Sequence, residues 1–343
     1  MSLELLQEIW FVLWCVIWIA FFVFDSFTIG TGMMFPFIGK DKKEHYQLQE
    51  VVGPFWNGAE VWLITAGGAT FAAFPPVYAE MFSQLYVPFF LILFALIFRA
   101  TGLELMYKDE NKAWIGSFKW AFTVSSFLIA FVFGVFFTNL YTGVPIGASG
   151  FEGSIFSLFH LYAIIGGLLF VVIFLTAGSA WINLKAEGAV ADRSFKIGKV
   201  TAPAVVALLG IYFVATGNKT SQFNNFNDNV ILYAVPSLAF VTAILAMFCF
   251  FKKKMGLAFT FIASTILLFF TTGFIGMFPN MLPSSVGAEF SLTLYNSSAS
   301  QLTLQIMFIV ACIFVPIVLA YQLWVHFLFK DKVKKDEAKG YSG

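Results

Sequence analysis

Apolar positions in this chain run in long unbroken blocks rather than alternating every second residue or recurring on one stripe of a helix. Nine blocks are about 20 residues or longer, the length of helix that crosses a hydrocarbon core roughly 30 Å thick. They cover residues 9–37, 55–74, 84–106, 114–138, 155–184, 197–216, 229–251, 255–279 and 300–329. The pattern predicts an all-α integral membrane protein, a single polytopic domain over residues 1–343. Phe74-Pro75-Pro76, Pro279 and Pro283 mark helix ends, and Pro203, Pro236 and Pro316 predict kinks inside spans.

Composition supports the membrane assignment. Of 343 residues, 59% are hydrophobic, 11% are charged and 46 are Phe, more apolar surface than one soluble core can bury. A net charge of +1 leaves no basic field for nucleic acid. Cys15, Cys249 and Cys312 all lie in apolar runs without a metal-binding or disulfide spacing, so they read as small hydrophobes. The N-terminal MSLELLQE lacks the basic start of a signal peptide, which predicts a retained first span.

The placement of charge orients the spans. All but Lys219 of the 20 Lys and Arg residues fall on alternate connections or the C-terminal tail. Lysine and arginine are retained on the cytoplasmic side, so the pattern predicts N-out, C-in. Short echoes, Thr65-Ala66-Gly67 with Thr176-Ala177-Gly178 and Met34-Phe35-Pro36 with Met277-Phe278-Pro279, fit either similar halves or chance recurrence.

An ionisable side chain inside a span costs several kcal/mol unless it meets a partner, a cavity or a proton route. Asp25 in span 1 and Glu60 in span 2 meet this description. From the 1.5 Å rise per residue they lie about 16 and 8 Å from the cytoplasmic end of their spans. A short loop joins these spans, so both carboxylates can line one pocket. Thr28 lies three residues after Asp25 and Asn57 three before Glu60, so each acid shares its helix face with a hydrogen-bonding neighbour. Gly58, Ala59, Ala66, Gly67, Gly68 and Ala69 would let another helix approach span 2 closely. Two readings stand: structural acids, with Arg99 as a charge partner, or a proton path. His45 falls in a loop, while His160 and His326 fall near opposite ends of their spans and cannot sandwich one haem. No phosphate loop, Ser/His/Asp arrangement or metal motif is present.

The stretch FWNGAEVWLITAGGATFAAFPPVYAEMF at 55–82 resembles the second span of subunit II of cytochrome bd-type quinol oxidases. FDSFTIGTGMMFPFIGKD at 24–41, FFLILFALIFRATGLEL at 89–105 and FPNMLPSSVGAEFSLTLYNSSASQLTL at 278–304 agree in order and spacing. The resemblance implies two four-helix bundles plus one helix in a bacterial cytoplasmic membrane. It implies a partner subunit I that carries haems b and b or d and the quinol site, and that with this subunit reduces dioxygen to water. It further implies contact with membrane lipid, a small single-helix accessory subunit and, in some members, a bound quinone. This chain would bind no haem and be inactive alone. Its implied contributions are an apolar dioxygen route passing Trp62 and a cytoplasmic proton route through carboxylates. Here the chain departs from the family pattern: Asn57 replaces an acid, Ala59 an amide, and Thr28 a second acid of span 1. Asp25 and Glu60 then carry the route with Thr28 and Asn57 holding water, or the route lies in subunit I. A proton-coupled transporter or a pure scaffold are the rival readings.

Overall fold

The computed structural model describes residues 1–340, and these are predominantly helical. The helices are α1 (Leu3–Ile38), α2 (Lys42–Ala73), α3 (Pro75–Gln84), α4 (Tyr86–Leu105), α5 (Lys112–Thr142), α6 (Leu161–Lys185), α7 (Ala189–Lys219), α8 (Asn224–Asp228), α9 (Ala234–Phe251), α10 (Met255–Met277) and α11 (Gln301–Leu328). Two small hairpins, β1 (Ile146–Gly147) with β2 (Gly150–Phe151) and β3 (Asn280–Leu282) with β4 (Leu292–Thr293), lie in the connections. Among the described residues, eight helices are long and apolar enough to cross a membrane. A ninth span results if α2 and α3, bent by 119° at Phe74-Pro75, count as one broken element.

Helices α1, α2, α4 and α5 pack together, as do α6, α7, α9 and α10, and α11 lies against α1 and α2. The two groups join along α1, α5, α6 and α10. Glycines allow that junction. A Cβ on Gly30 would stand 1.8 Å from the Phe174 carbonyl oxygen, and one on Gly178 would stand 2.6 Å from the Gly30 carbonyl carbon, so α1 and α6 touch backbone to backbone. Around them lies an aromatic core in which Phe22 stacks on Phe270 at 4.3 Å and meets Phe133 and Phe137 edge-on. Between helices, hydroxyl pairs satisfy buried polar groups: Tyr162 with Thr216 at 2.6 Å, Thr176 with Thr201 at 2.8 Å.

Several sequence expectations change. Helix α2 starts at Lys42, not residue 55, because Asp41 caps it by accepting the Glu44 N–H at 2.9 Å and its first turns are buried. His45 is therefore helical rather than in a loop. The helix of the fifth block, α6, begins at Leu161, since residues 155–159 form a separate single turn. Pro236 sits in the first turn of α9, where no intrahelical N–H bond is lost, so it is not an internal kink. The echoed tripeptides have unlike surroundings: Gly178 is in backbone contact, while a Cβ on Gly67 would meet nothing within 4 Å. Gly68 is equally open, whereas the Gly58 position is approached by Gln322, and Ala59 and Ala66 are buried.

The lysine-rich connections gather at one face, where the tail folds back. Lys335 bonds Asp41 and Glu44 at 2.6 and 3.1 Å, and Val333 donates its N–H to the Lys185 carbonyl at 2.7 Å. Arg193 at the start of α7 bonds Glu44 as well.

Candidate functional site

Asp25 from α1, Glu60 from α2 and Arg99 from α4 meet inside the first group of four helices. Asp25 and Arg99 are fully buried, whereas the Glu60 side chain keeps 21% of its surface exposed. Arg99 Nη1 donates to Asp25 Oδ2 and Nη2 to Oδ1, at 2.8 and 2.7 Å, a bidentate pairing. Nη1 also donates to Glu60 Oε1 at 2.8 Å, so one guanidinium nitrogen serves both acids. The Thr28 hydroxyl joins the group, accepting from Arg99 Nη2 and donating to Asp25. Arg99 Nε has no hydrogen-bond partner among the described residues.

The sequence paired these acids through the short α1–α2 connection, and the structure brings Asp25, Glu60, Thr28 and Arg99 within hydrogen-bonding reach. Asn57 is not part of that group; it lies exposed on α2, three residues before Glu60. Gln322 of α11 is a residue that sequence reasoning missed. Its Nε2 donates to the Gly58 carbonyl at 2.6 Å and pins the α2 turn before Glu60. The signal was an amide within an otherwise apolar span, passed over because only ionisable groups were sought.

Trp62 is buried, with its ring 5.9 Å from Phe24 and nearly parallel to it. It does not line the apolar cavity of about 230 Å³ between α2, α3 and α4, whose walls include Leu63, Ile64, Gly67, Phe89 and Leu96. That cavity lies along the same helix, just beyond Trp62.

The histidines serve structural ends. His45 Nε2 donates to the Gly39 carbonyl at 3.2 Å, leaving Nδ1 to accept from the Tyr107 hydroxyl. His160 caps α6 by accepting the Ala163 N–H. His326 donates Nδ1–H to the Gln322 carbonyl and packs among Phe24, Phe27, Phe55 and Trp181. No histidine lines the α2–α4 cavity or the cavity at the lysine-rich face. Among the described residues no three His, Cys, Asp or Glu side chains gather as a metal site.

Residues 6–329 match the family model described as cytochrome bd terminal oxidase subunit II. The chain is 36% identical to a probable cytochrome oxidase subunit 2 of Haemophilus influenzae, covering 94% of this chain and 93% of that one. It is 32% identical to the cytochrome bd-I ubiquinol oxidase subunit 2 of Escherichia coli, with 97% of each covered. It is also 32% identical to the cytochrome bd ubiquinol oxidase subunit 2 of Bacillus subtilis, covering 98% and 99%. In fold it resembles a chain of the bd oxidase from Geobacillus thermodenitrificans, with a TM-score of 0.76, 14% identity, and 94% and 98% of the two chains covered.

Proposed function

The chain belongs to the cytochrome bd terminal oxidase subunit II family, and from that premise we propose that its buried Asp25–Arg99–Glu60 group carries protons toward dioxygen reduction in a haem-bearing partner subunit. It is a multi-pass membrane subunit of a quinol oxidase complex. The partner supplies the haems and the quinol site. There, two quinols release four electrons and four protons, and each dioxygen takes four electrons and four protons to form two waters. The protons consumed come from the cytoplasm. The lysine-rich face is the cytoplasmic one, in a bacterial inner membrane, which places the N-terminus outside and the tail inside.

The observation that carries the reading is the charge count around Arg99. Two carboxylates face one guanidinium in a low-dielectric interior, so full ionisation would leave an uncompensated negative charge. One proton held by the group removes that cost. Arg99 and Thr28 hold Asp25 on both oxygens, whereas Glu60 is held through Oε1 alone and is reachable from the α2 surface. Glu60 is therefore the exchanging group and Asp25 the fixed anion. Asn57 does not titrate, and from its exposed place three residues before Glu60 it orders water for that acid. The α2–α4 cavity, whose walls begin at Leu63 next to Trp62 on α2, forms the apolar dioxygen route, because dioxygen partitions into such walls.

Purifying the chain with its neighbours tests the oxidase reading. Haem bands and quinol-dependent oxygen uptake are expected in the complex and neither in this chain alone. Haem bound to the isolated chain, or oxygen uptake by it, would overturn the division of labour.

A further inference from the structure

A cavity of about 380 Å³ opens at the lysine-rich face between α2, the end of α6 and the C-terminal tail. Val51, Phe55, Leu328, Phe329 and Val333 are its apolar residues, and the others are charged. Most of those charges are already satisfied. Glu50 accepts the N–H groups of Lys339 and Gly340, at 2.6 and 3.1 Å. Lys334 pairs with Glu337 at 3.0 Å, and Lys332 approaches Glu187 at 3.9 Å.

Lys185 and Asp331 are different. Lys185 is only 8% exposed, and among the described residues its ammonium has a single hydrogen-bond acceptor, the Phe329 carbonyl at 2.6 Å. It lies over the Phe55 and Trp181 rings, 5.9 and 5.2 Å from their centres. An ammonium has three donors, so a largely buried one with one carbonyl retains capacity for an anion. Asp331 lines the same cavity, and among the described residues it forms no ion pair with Lys185 or with any other group. The cavity thus offers a cation and an anion that feel each other's charge without making a direct ion pair, next to an apolar wall. The exposed Tyr321, Trp324 and Phe327 of α11 lie within two turns of it, the aromatic composition found where a span meets headgroups.

We propose that this cavity seats the headgroup of a phospholipid carrying a primary amine, with its phosphate on Lys185 and its amine toward Asp331. The glycerol and upper acyl carbons lie against Phe55, Leu328 and Phe329 and continue along the exposed end of α11. A lipid seated there ties the tail to the membrane surface beside the α2–α6 ends. The inference does not rest on the proton-route reading, since it concerns other residues and requires only that the chain spans a membrane.

Native mass spectrometry of the purified two-subunit complex tests it, with dioleoylphosphatidylethanolamine, dioleoylphosphatidylglycerol and sodium phosphate as probes. Wild type is expected to retain a tightly held phosphatidylethanolamine. Lys185→Gln should weaken retention about tenfold, the worth of one charge-assisted hydrogen bond. Asp331→Asn should abolish the preference for phosphatidylethanolamine over phosphatidylglycerol while leaving the phosphate contact. Equal retention by wild type and Lys185→Gln overturns the proposal. So does displacement of the lipid by excess sodium phosphate, which would make the cavity a free-anion site. If Lys185→Gln releases the tail, shown by new tryptic cleavage, Asp331→Asn decides: an unchanged lipid preference overturns the proposal.

Discussion

Arg99 of α4 donates to both carboxylate oxygens of Asp25 of α1, at 2.7 and 2.8 Å, and both side chains are buried. Removing one member of such a pair strands the other charge, which costs about 3–5 kcal/mol. Arg99→Leu should therefore sharply reduce the yield and thermal midpoint of the assembled complex. Arg99→Leu combined with Asp25→Leu should recover part of both, because no fully buried charge remains. A double variant as unstable as Arg99→Leu alone would mean that Arg99 stabilises chiefly through Glu60 or through packing.

The joint between the two helix groups depends on backbone contact at Gly30 and Gly178. A Cβ at position 178 would stand 2.6 Å from both the Gly30 carbonyl carbon and the Thr31 nitrogen, atoms that cannot move without shifting α1. Gly178→Val should separate α1 from α6 and destabilise by about 1–3 kcal/mol or more. Gly67→Ala, where the added methyl meets nothing within the chain, should leave the stability of the separately purified subunit unchanged. Thermal unfolding of the two variants in detergent checks the contrast.

At the lysine-rich face, the Lys335 ammonium and the Glu44 N–H hold the Asp41 carboxyl below its usual range, and Asp41 and Glu44 raise the Lys335 ammonium. The signs oppose. The carboxyl's contribution to tail docking is complete above its ordinary value of 3.8 and is lost as pH falls through the lowered one. The ammonium's contribution is complete below its ordinary value of 10.5 and is lost as pH rises through the raised one. Docking should thus be constant across the neutral range, and Lys335→Gln should release the tail there. Hydrogen exchange at the Val333 amide, corrected for intrinsic rate, is expected to be slow and flat with pH in wild type and faster in the variant.

Much of this was legible in the sequence because lipid imposes a strong pattern. The long apolar helices, the lysine-rich face and the paired acids follow from length, charge placement and a short loop. Residues without a periodic or ionisable signature escaped. The start of α2 was misplaced because polar Lys42–Gln49 looks like a loop until Asp41 is seen capping it and the tail covering it. Gln322 carries no charge, and its role depends on α11 crossing α2 at Gly58, a contact between residues 264 positions apart. Asn57 shares spacing with Glu60 but not its partner, since helical spacing says nothing about which neighbour supplies Arg99.

The central claim is that Glu60 exchanges the proton held by the Asp25–Arg99–Glu60 group. Proton uptake from the cytoplasmic side, followed with a pH dye in liposomes holding the assembled complex, tests it most directly. With haem content and assembly normal, Glu60→Gln should slow proton uptake and quinol-driven oxygen uptake together, at least about tenfold, because a glutamine cannot relay a proton as an acid does. Asn57→Ala should have the smaller effect of a lost water site. Wild-type proton and oxygen uptake in Glu60→Gln would contradict the account and leave the charge group a structural clamp.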